Sequence, residues 1–161
     1  MGTSKKRQAA RVYDDLLDTI EFPEAYRLTY LAGAVAVPAY GDIKRDLGLI
    51  RAEYVLLACL SHFDEMTAQD VARISRRPRN TVSRAVHRMI DDGLIERAPD
   101  ASDGRQAQLK ITPAGLEMHL KAAAYLKARQ EVVLDGLTAD ERAQFSALLR
   151  KTALFAAQLD D

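Results

Sequence analysis

Residues 67 to 111 constrain the fold more than any other part of the chain. TAQDVARIS (67–75) opens with Thr67 and Asp70 at the spacing of a capping box, in which each side chain satisfies an orphan backbone N–H of a helix's first turn. Val71, Ala72 and Ser75 follow at helical spacing. Arg77-Pro78 ends that helix, because proline has no N–H and a fixed φ. Proline also suits the first turn of a helix, so a second helix is predicted from about Pro78 to Asp92. It places Val82, Ala85, Val86, Met89 and Ile90 on one face, and Asn80, Ser83, Arg84, His87 and Asp91 on the other. Gly93 is the expected C-terminal stop. Leu94 and Ile95 open a short strand, and Pro99 to Arg105 is rich in turn formers. Ala107, Leu109 and Ile111 then alternate with Gln106, Gln108 and Lys110, as in a half-buried strand. The stretch therefore reads as a positioning helix, a second helix with one polar face, and a two-stranded β-wing.

Charge sharpens that reading. The chain carries 23 basic and 23 acidic residues, yet six arginines (73, 76, 77, 79, 84, 88) and no carboxylate fall between Arg73 and Arg88. A charge run alone is usually a solvated face. Set between a short apolar helix and a wing, it points to double-stranded DNA. Asn80, Thr81, Ser83, Arg84 and His87 are expected at base edges in a major groove, with Arg76, Arg77, Arg79 and Arg88 mostly on phosphates. Arg105 at the wing tip, oriented by Asp103, suits a minor groove, where the potential attracts guanidinium groups.

The stretch from Leu49 to Leu116 resembles the core of the MarR family of bacterial winged helix-turn-helix regulators. TVSRAVHRMIDDGLIER, the D-x-R at Asp103-Gly104-Arg105 and the following ITPAG carry the likeness, which extends in layout over about residues 24 to 160. Pro78 is a departure, since a Ser or Asp cap is commoner there. The resemblance implies a transcriptional regulator of repressor type. It also implies a homodimer built from terminal helices, and a cleft where a small apolar or aromatic effector releases the DNA. Tyr26, Tyr30 and Tyr54 are the candidate walls of such a cleft.

The rest of the chain fits this frame. At 161 residues it is one domain with helical extensions, 48% hydrophobic and without tryptophan. The fold class expected is mainly α with a small β-wing (α+β): a winged core over 49–112, with dimerisation helices over 9–40 and 113–160. Helices are predicted from Ala9 to Ile20, from Pro23 to Ala36 and from Arg51 to Phe63. In the last, Val55, Leu56, Cys59, Leu60 and Phe63 point inward; Gly41 and Gly48 punctuate the loop before it. Thr112-Pro113 starts a long helix with Leu116, Leu120, Ala123, Ala124 and Lys127 along it. Thr138 and Glu141 cap another, striped by Phe145, Leu148, Leu149, Thr152, Phe155 and Leu159. A winged core of that size does not need these extra apolar faces, so a twin chain is expected to cover them, and two recognition helices would then read a pseudo-palindrome.

Other classes find little support. His62, His87 and His119 match no metal motif, and neither a nucleophile elbow nor a phosphate loop occurs, so no enzyme, metal or cofactor is expected. No apolar run is long enough to span a membrane, and the N-terminus lacks an apolar signal core, which reads as cytoplasmic. The single Cys59 excludes an internal disulfide. Two alternatives stay open: a winged-helix protein-interaction module, and a redox sensor of the same fold built on Cys59.

Overall fold

Capping chemistry sets most helix boundaries in the computed structural model, which describes residues 12–63, 66–98 and 108–159. The elements are α1 (residues 12–19), α2 (Pro23–Leu47), α3 (Arg51–His62), α4 (Ala68–Ile74), α5 (Arg79–Asp91), β1 (Ile95–Ala98), β2 (Gln108–Ile111), α6 (Pro113–Leu134) and α7 (Ala139–Gln158). The mainly helical class with a small β-wing is as expected. β1 and β2 pair antiparallel, from Ile95 opposite Ile111 to Ala98 opposite Gln108. Thr67 accepts from the Asp70 N–H while Asp70 accepts from Thr67, and Thr138 and Glu141 do the same at α7. Thr112 Oγ1 accepts from the Gly115 N–H at 3.0 Å and donates to the Gly93 carbonyl at 2.9 Å, joining the start of α6 to the end of α5.

The chain divides into two units. The first, Ala36–Lys127, holds every buried residue among those described. Its core runs from Ile43 through Leu56, Leu57 and Leu60 of α3, Val71 and Ala72 of α4, and Val82, Val86 and Met89 of α5, to Ile95 and Leu109 of the wing. Leu109 also donates its N–H to the Met66 carbonyl at 2.8 Å, so the wing is pinned to the segment before α4. The second unit comprises the described parts of Met1–Val35 and Ala128–Asp161. The helical segments within it carry no buried residue among those described.

Four expectations need correction. The helix predicted to stop at Ala36 continues through Pro38 and Gly41 to Leu47. Pro38 cannot donate to the carbonyl of Ala34, and the Arg129 Nε–H donates to that carbonyl instead, at 3.0 Å. Beyond it, the buried side chains of Ala39 and Ile43 hold the helix to the core. In α3 the inward residues are Ala52, Glu53, Leu56, Leu57 and Leu60, whereas Phe63 follows the helix and is exposed, and Val55 and Cys59 are half-buried. In α6 the buried face is Gly115, His119 and Ala122, one residue away from the predicted Leu116 and Leu120, which are exposed. Close approach fixes that register: a Cβ on Gly115 would collide with the Leu94 carbonyl oxygen. Finally, Pro78 is the residue before α5 and not its first, and its carbonyl accepts from the N–H groups of Thr81 and Val82.

Candidate nucleic-acid interface

Helix α5 is amphipathic in the strict sense. Val82, Ala85, Val86 and Met89 are buried, which leaves Arg79, Asn80, Ser83, Arg84 and His87 exposed on the opposite side, with Thr81 half-buried at its edge. The buried face fixes the helix, so the polar face is presented on a rigid element. Its first turn holds no acidic residue and no side chain caps it. The N-terminal N–H groups and the positive end of the dipole therefore stand beside Arg79. Among the described residues, Arg84 Nε makes a long contact, 3.4 Å, with the Asn80 carbonyl.

The turn before α5 is tight. Arg76 donates its N–H to the Arg73 carbonyl at 3.2 Å and Arg77 to the Ala72 carbonyl at 3.0 Å. These bonds put Arg76 at φ +52, a left-handed conformation unusual for a side chain with a Cβ. Arg76 is exposed and Arg77 half-buried. Arg73 bends back to Asp70 at 3.3 Å. Hydrogen bonds from Thr67, together with the Arg73 charge, keep the Asp70 carboxyl below the usual carboxylate range.

Arg88 differs from its neighbours. Its Nη1 donates to Glu53 Oε1 at 3.0 Å, its Nη2 donates to the Gly48 carbonyl at 3.2 Å, and its Nε lies 3.5 Å from Asp92 Oδ2. Glu53 is only 2% exposed, and its Oε2 accepts the Ile50 N–H at 2.8 Å. Sequence reasoning missed Glu53; the available signal was a carboxylate set within the apolar run of α3. Asp103 and Arg105, the expected minor-groove pair, lie outside the described residues.

The three candidate tyrosines fall into two clusters. Tyr26 and Tyr30 stack with centroids 6.4 Å apart, and Tyr13 tilts against Tyr30 at 5.8 Å. Tyr30 also lines a cleft of about 320 Å³ with Asp14, Leu17, Asp18, Arg27 and Leu31. A second cleft in the same unit, about 290 Å³, is lined mainly by apolar residues such as Leu28, Leu31, Val35, Val133, Phe145 and Leu149. Tyr54 belongs to the other unit, where it packs against Tyr40 at 5.9 Å and stacks on His119 at 5.7 Å. His119, also unanticipated, is 7% exposed with no partner for Nδ1. Burial and the nearby His62 hold its pKa below the ordinary histidine value, which keeps the ring neutral at neutral pH. Burial pushes the Cys59 thiol up, away from the thiolate a redox sensor needs. Among the described residues no group of three or more His, Cys, Asp or Glu side chains could hold a metal, and no helix is long and apolar enough to cross a membrane.

A capped short helix, a tight turn, a rigid helix with an exposed polar face and an antiparallel strand pair define a winged helix-turn-helix fold. The sequence profile of the MarR family matches residues 47–106. The HTH-type transcriptional repressor Rv2887 of Mycobacterium tuberculosis is 28% identical over 124 residues, covering 77% of this chain and 89% of that protein. The crystal structure of a MarR-family transcriptional regulator from Silicibacter pomeroyi superposes with a TM-score of 0.66 at 27% identity, covering 78% of this chain and 86% of that one. Wild-type apo MarR from E. coli shares the fold, with a TM-score of 0.71 over 81% of this chain and 96% of its own, at 19% identity. The MarR family profile thus covers the winged core of this chain, and the relatives that align along most of its length are named as HTH-type transcriptional repressors.

Proposed function

We propose that the protein is a repressor that binds a pseudo-palindromic operator as a homodimer. The observation that carries this reading is the face of α5: Arg79, Asn80, Ser83, Arg84 and His87 are exposed together while the opposite face is locked in the core. In this reading Asn80, Thr81, Ser83, Arg84 and His87 address base edges in the major groove. Arg76, Arg77 and Arg79 hold phosphates beside the uncapped helix N-terminus. Arg105, held by Asp103, enters the minor groove. The naming of relatives as repressors favours repression over activation. A small, largely apolar or aromatic effector belongs to the same proposal. The cleft walled by Tyr30 offers it an aromatic surface with Asp14, Asp18 and Arg27 as polar anchors, while Tyr54 serves the core of the other unit.

The test is selection of bound sequences from random duplex DNA, followed by titration of the best one against salt. Each neutralised phosphate contributes roughly 0.9 to the slope of log K against log salt, so six or more contacts per dimer give about −5 or steeper. A converging half-site and such a slope are expected. No converging sequence, or a slope near zero on the best one, would remove the major-groove reading and favour a protein-interaction module.

A further inference from the structure

We infer that Arg88 acts on DNA only through Glu53: it is a positioning residue that sets the angle of α5 and makes no phosphate contact. The inference rests on the proposed DNA-binding role of α5 and deepens it. Arg88 stands in the same arginine-rich run as Arg76, Arg77, Arg79 and Arg84, and by sequence alone nothing separates it from them. Geometry does. Although the side chain is half-exposed, each terminal nitrogen of its guanidinium is held through one of its two N–H groups, Nη1 to Glu53 Oε1 at 3.0 Å and Nη2 to the Gly48 carbonyl at 3.2 Å, and Nε faces Asp92 at 3.5 Å. A phosphate that drew this guanidinium out of that geometry would strip Glu53 of its charged partner.

Glu53 cannot spare that partner. Its carboxylate is 2% exposed, and its other oxygen is already held by the Ile50 N–H at 2.8 Å. A buried charge tolerates burial only while paired and hydrogen-bonded, and removing one partner leaves it uncompensated. The planar fork of arginine meets a carboxylate and a carbonyl at once, which the point charge of lysine does not. The three groups joined here sit on different elements: Arg88 on α5, Glu53 in the first turn of α3, and Gly48 in the turn after α2. Arg88 also follows Arg84 by one helical turn, on the element whose exposed face is proposed to meet base edges. A change in this link therefore tilts the reading face itself.

The role has a signature opposite in sign to that of a phosphate contact. Glu53→Gln removes a negative charge from the DNA-binding unit, so Coulomb attraction alone would strengthen binding at every sequence. Mis-aiming the helix would instead weaken the selected site and spare random DNA. We expect Glu53→Gln and Arg88→Lys each to lose about tenfold on the selected half-site, the worth of one good base contact, with binding to random duplex near wild type. Arg88→Met should leave the salt slope unchanged. A true phosphate contact would lower that slope by roughly 0.9 per half-site, roughly 1.8 per dimer, and Arg88→Lys would keep most of the affinity; that pair of results would overturn the inference. Thermal melts set the binding temperature well below each variant's transition. Variants that melt earlier yet bind the selected site like wild type would assign the link to stability alone and also overturn it. A reading on the unaltered protein covers the case in which a variant does not fold. The Arg88 Nε–H resonance should keep its position when the selected duplex is added. A large shift of that resonance on binding would overturn the inference. If the wild-type protein selects no sequence, the DNA-binding reading fails first and the positioning role with it. If it selects one and Arg88→Lys binds like wild type, the DNA-binding reading stands and only this inference falls.

Discussion

At the scale of single residues, the two turns that bracket α5 make the same hydrogen bonds with different residues. After α5, Gly93 at φ +69 donates to the Ile90 carbonyl and Leu94 to the Met89 carbonyl, both at 2.9 Å. That is a Schellman motif with glycine at its left-handed position. After α4 the pattern repeats, with Arg76 at φ +52 in the place of the glycine. A residue with a Cβ pays roughly 1–2 kcal/mol for that backbone. The usual order of these substitutions should therefore reverse here. Arg76→Gly should be more stable than Arg76→Ala by about 1 kcal/mol, although glycine elsewhere in a helical region is the weaker choice. Both variants discard the same side chain, so the difference isolates the backbone and is read directly from paired denaturant melts. Both should lose DNA affinity alike, because the arginine is proposed to serve a phosphate. An alanine variant as stable as the glycine one would mean that the turn relaxes without cost.

At the scale of elements, α2 turns on one hydrogen bond. Pro38 leaves the Ala34 carbonyl without its helical donor, and the Arg129 Nε–H supplies one at 3.0 Å from 95 residues along the chain. Arg129→Met should then destabilise by about 1–2 kcal/mol, the cost of stranding a partly buried acceptor. Pro38→Ala restores the missing N–H, so in that background the same change should cost about 0.5 kcal/mol or less. The coupling from a double-mutant cycle measures the difference, and additive effects would show that Arg129 matters for another reason. This bond also marks the limit of what the sequence made legible. The capped starts of α4, α6 and α7 were readable because Thr67, Thr112 and Thr138 act on groups three residues away. The polar and buried faces of α5 were readable from their period. The length of α2 was not, because proline signals a stop unless a distant donor replaces its N–H. The role of Arg88 was not readable for the same reason, since Glu53 lies 35 residues away. The register of α6 depends on Gly115 meeting the Leu94 carbonyl, a contact between elements that no periodicity encodes.

At the scale of the whole molecule, the uneven distribution of burial supports the proposed homodimer. Every buried residue among those described lies between Ala39 and Ala122. The helices of the other unit carry apolar side chains with nothing fully covering them: Leu148 is 64% exposed, Phe155 63% and Leu159 71%. Single exposed leucines are ordinary, but a sustained apolar stripe along one helix marks an interaction face. Two-fold pairing is the commonest way to cover such a face, because it buries the same stripe on both copies at once. The proposed pseudo-palindrome requires two copies of α5 about one DNA turn apart, and a two-fold dimer is the way to supply two copies. Sedimentation of the wild-type protein at micromolar concentration should therefore give the mass of two chains, without DNA present. Leu148→Asp combined with Phe155→Asp should shift that mass to one chain, since two carboxylates facing their twins cannot be desolvated unpaired. The core within Ala36–Lys127 contains neither position, so the double variant should keep a cooperative melt from that unit. Its binding to a single half-site should persist while the advantage of a two-half-site operator over one half-site disappears. A wild-type mass of one chain would refute the dimer. A two-chain mass in the double variant would refute the assignment of this face, and would direct the search to the apolar surface of α1 and the start of α2 instead.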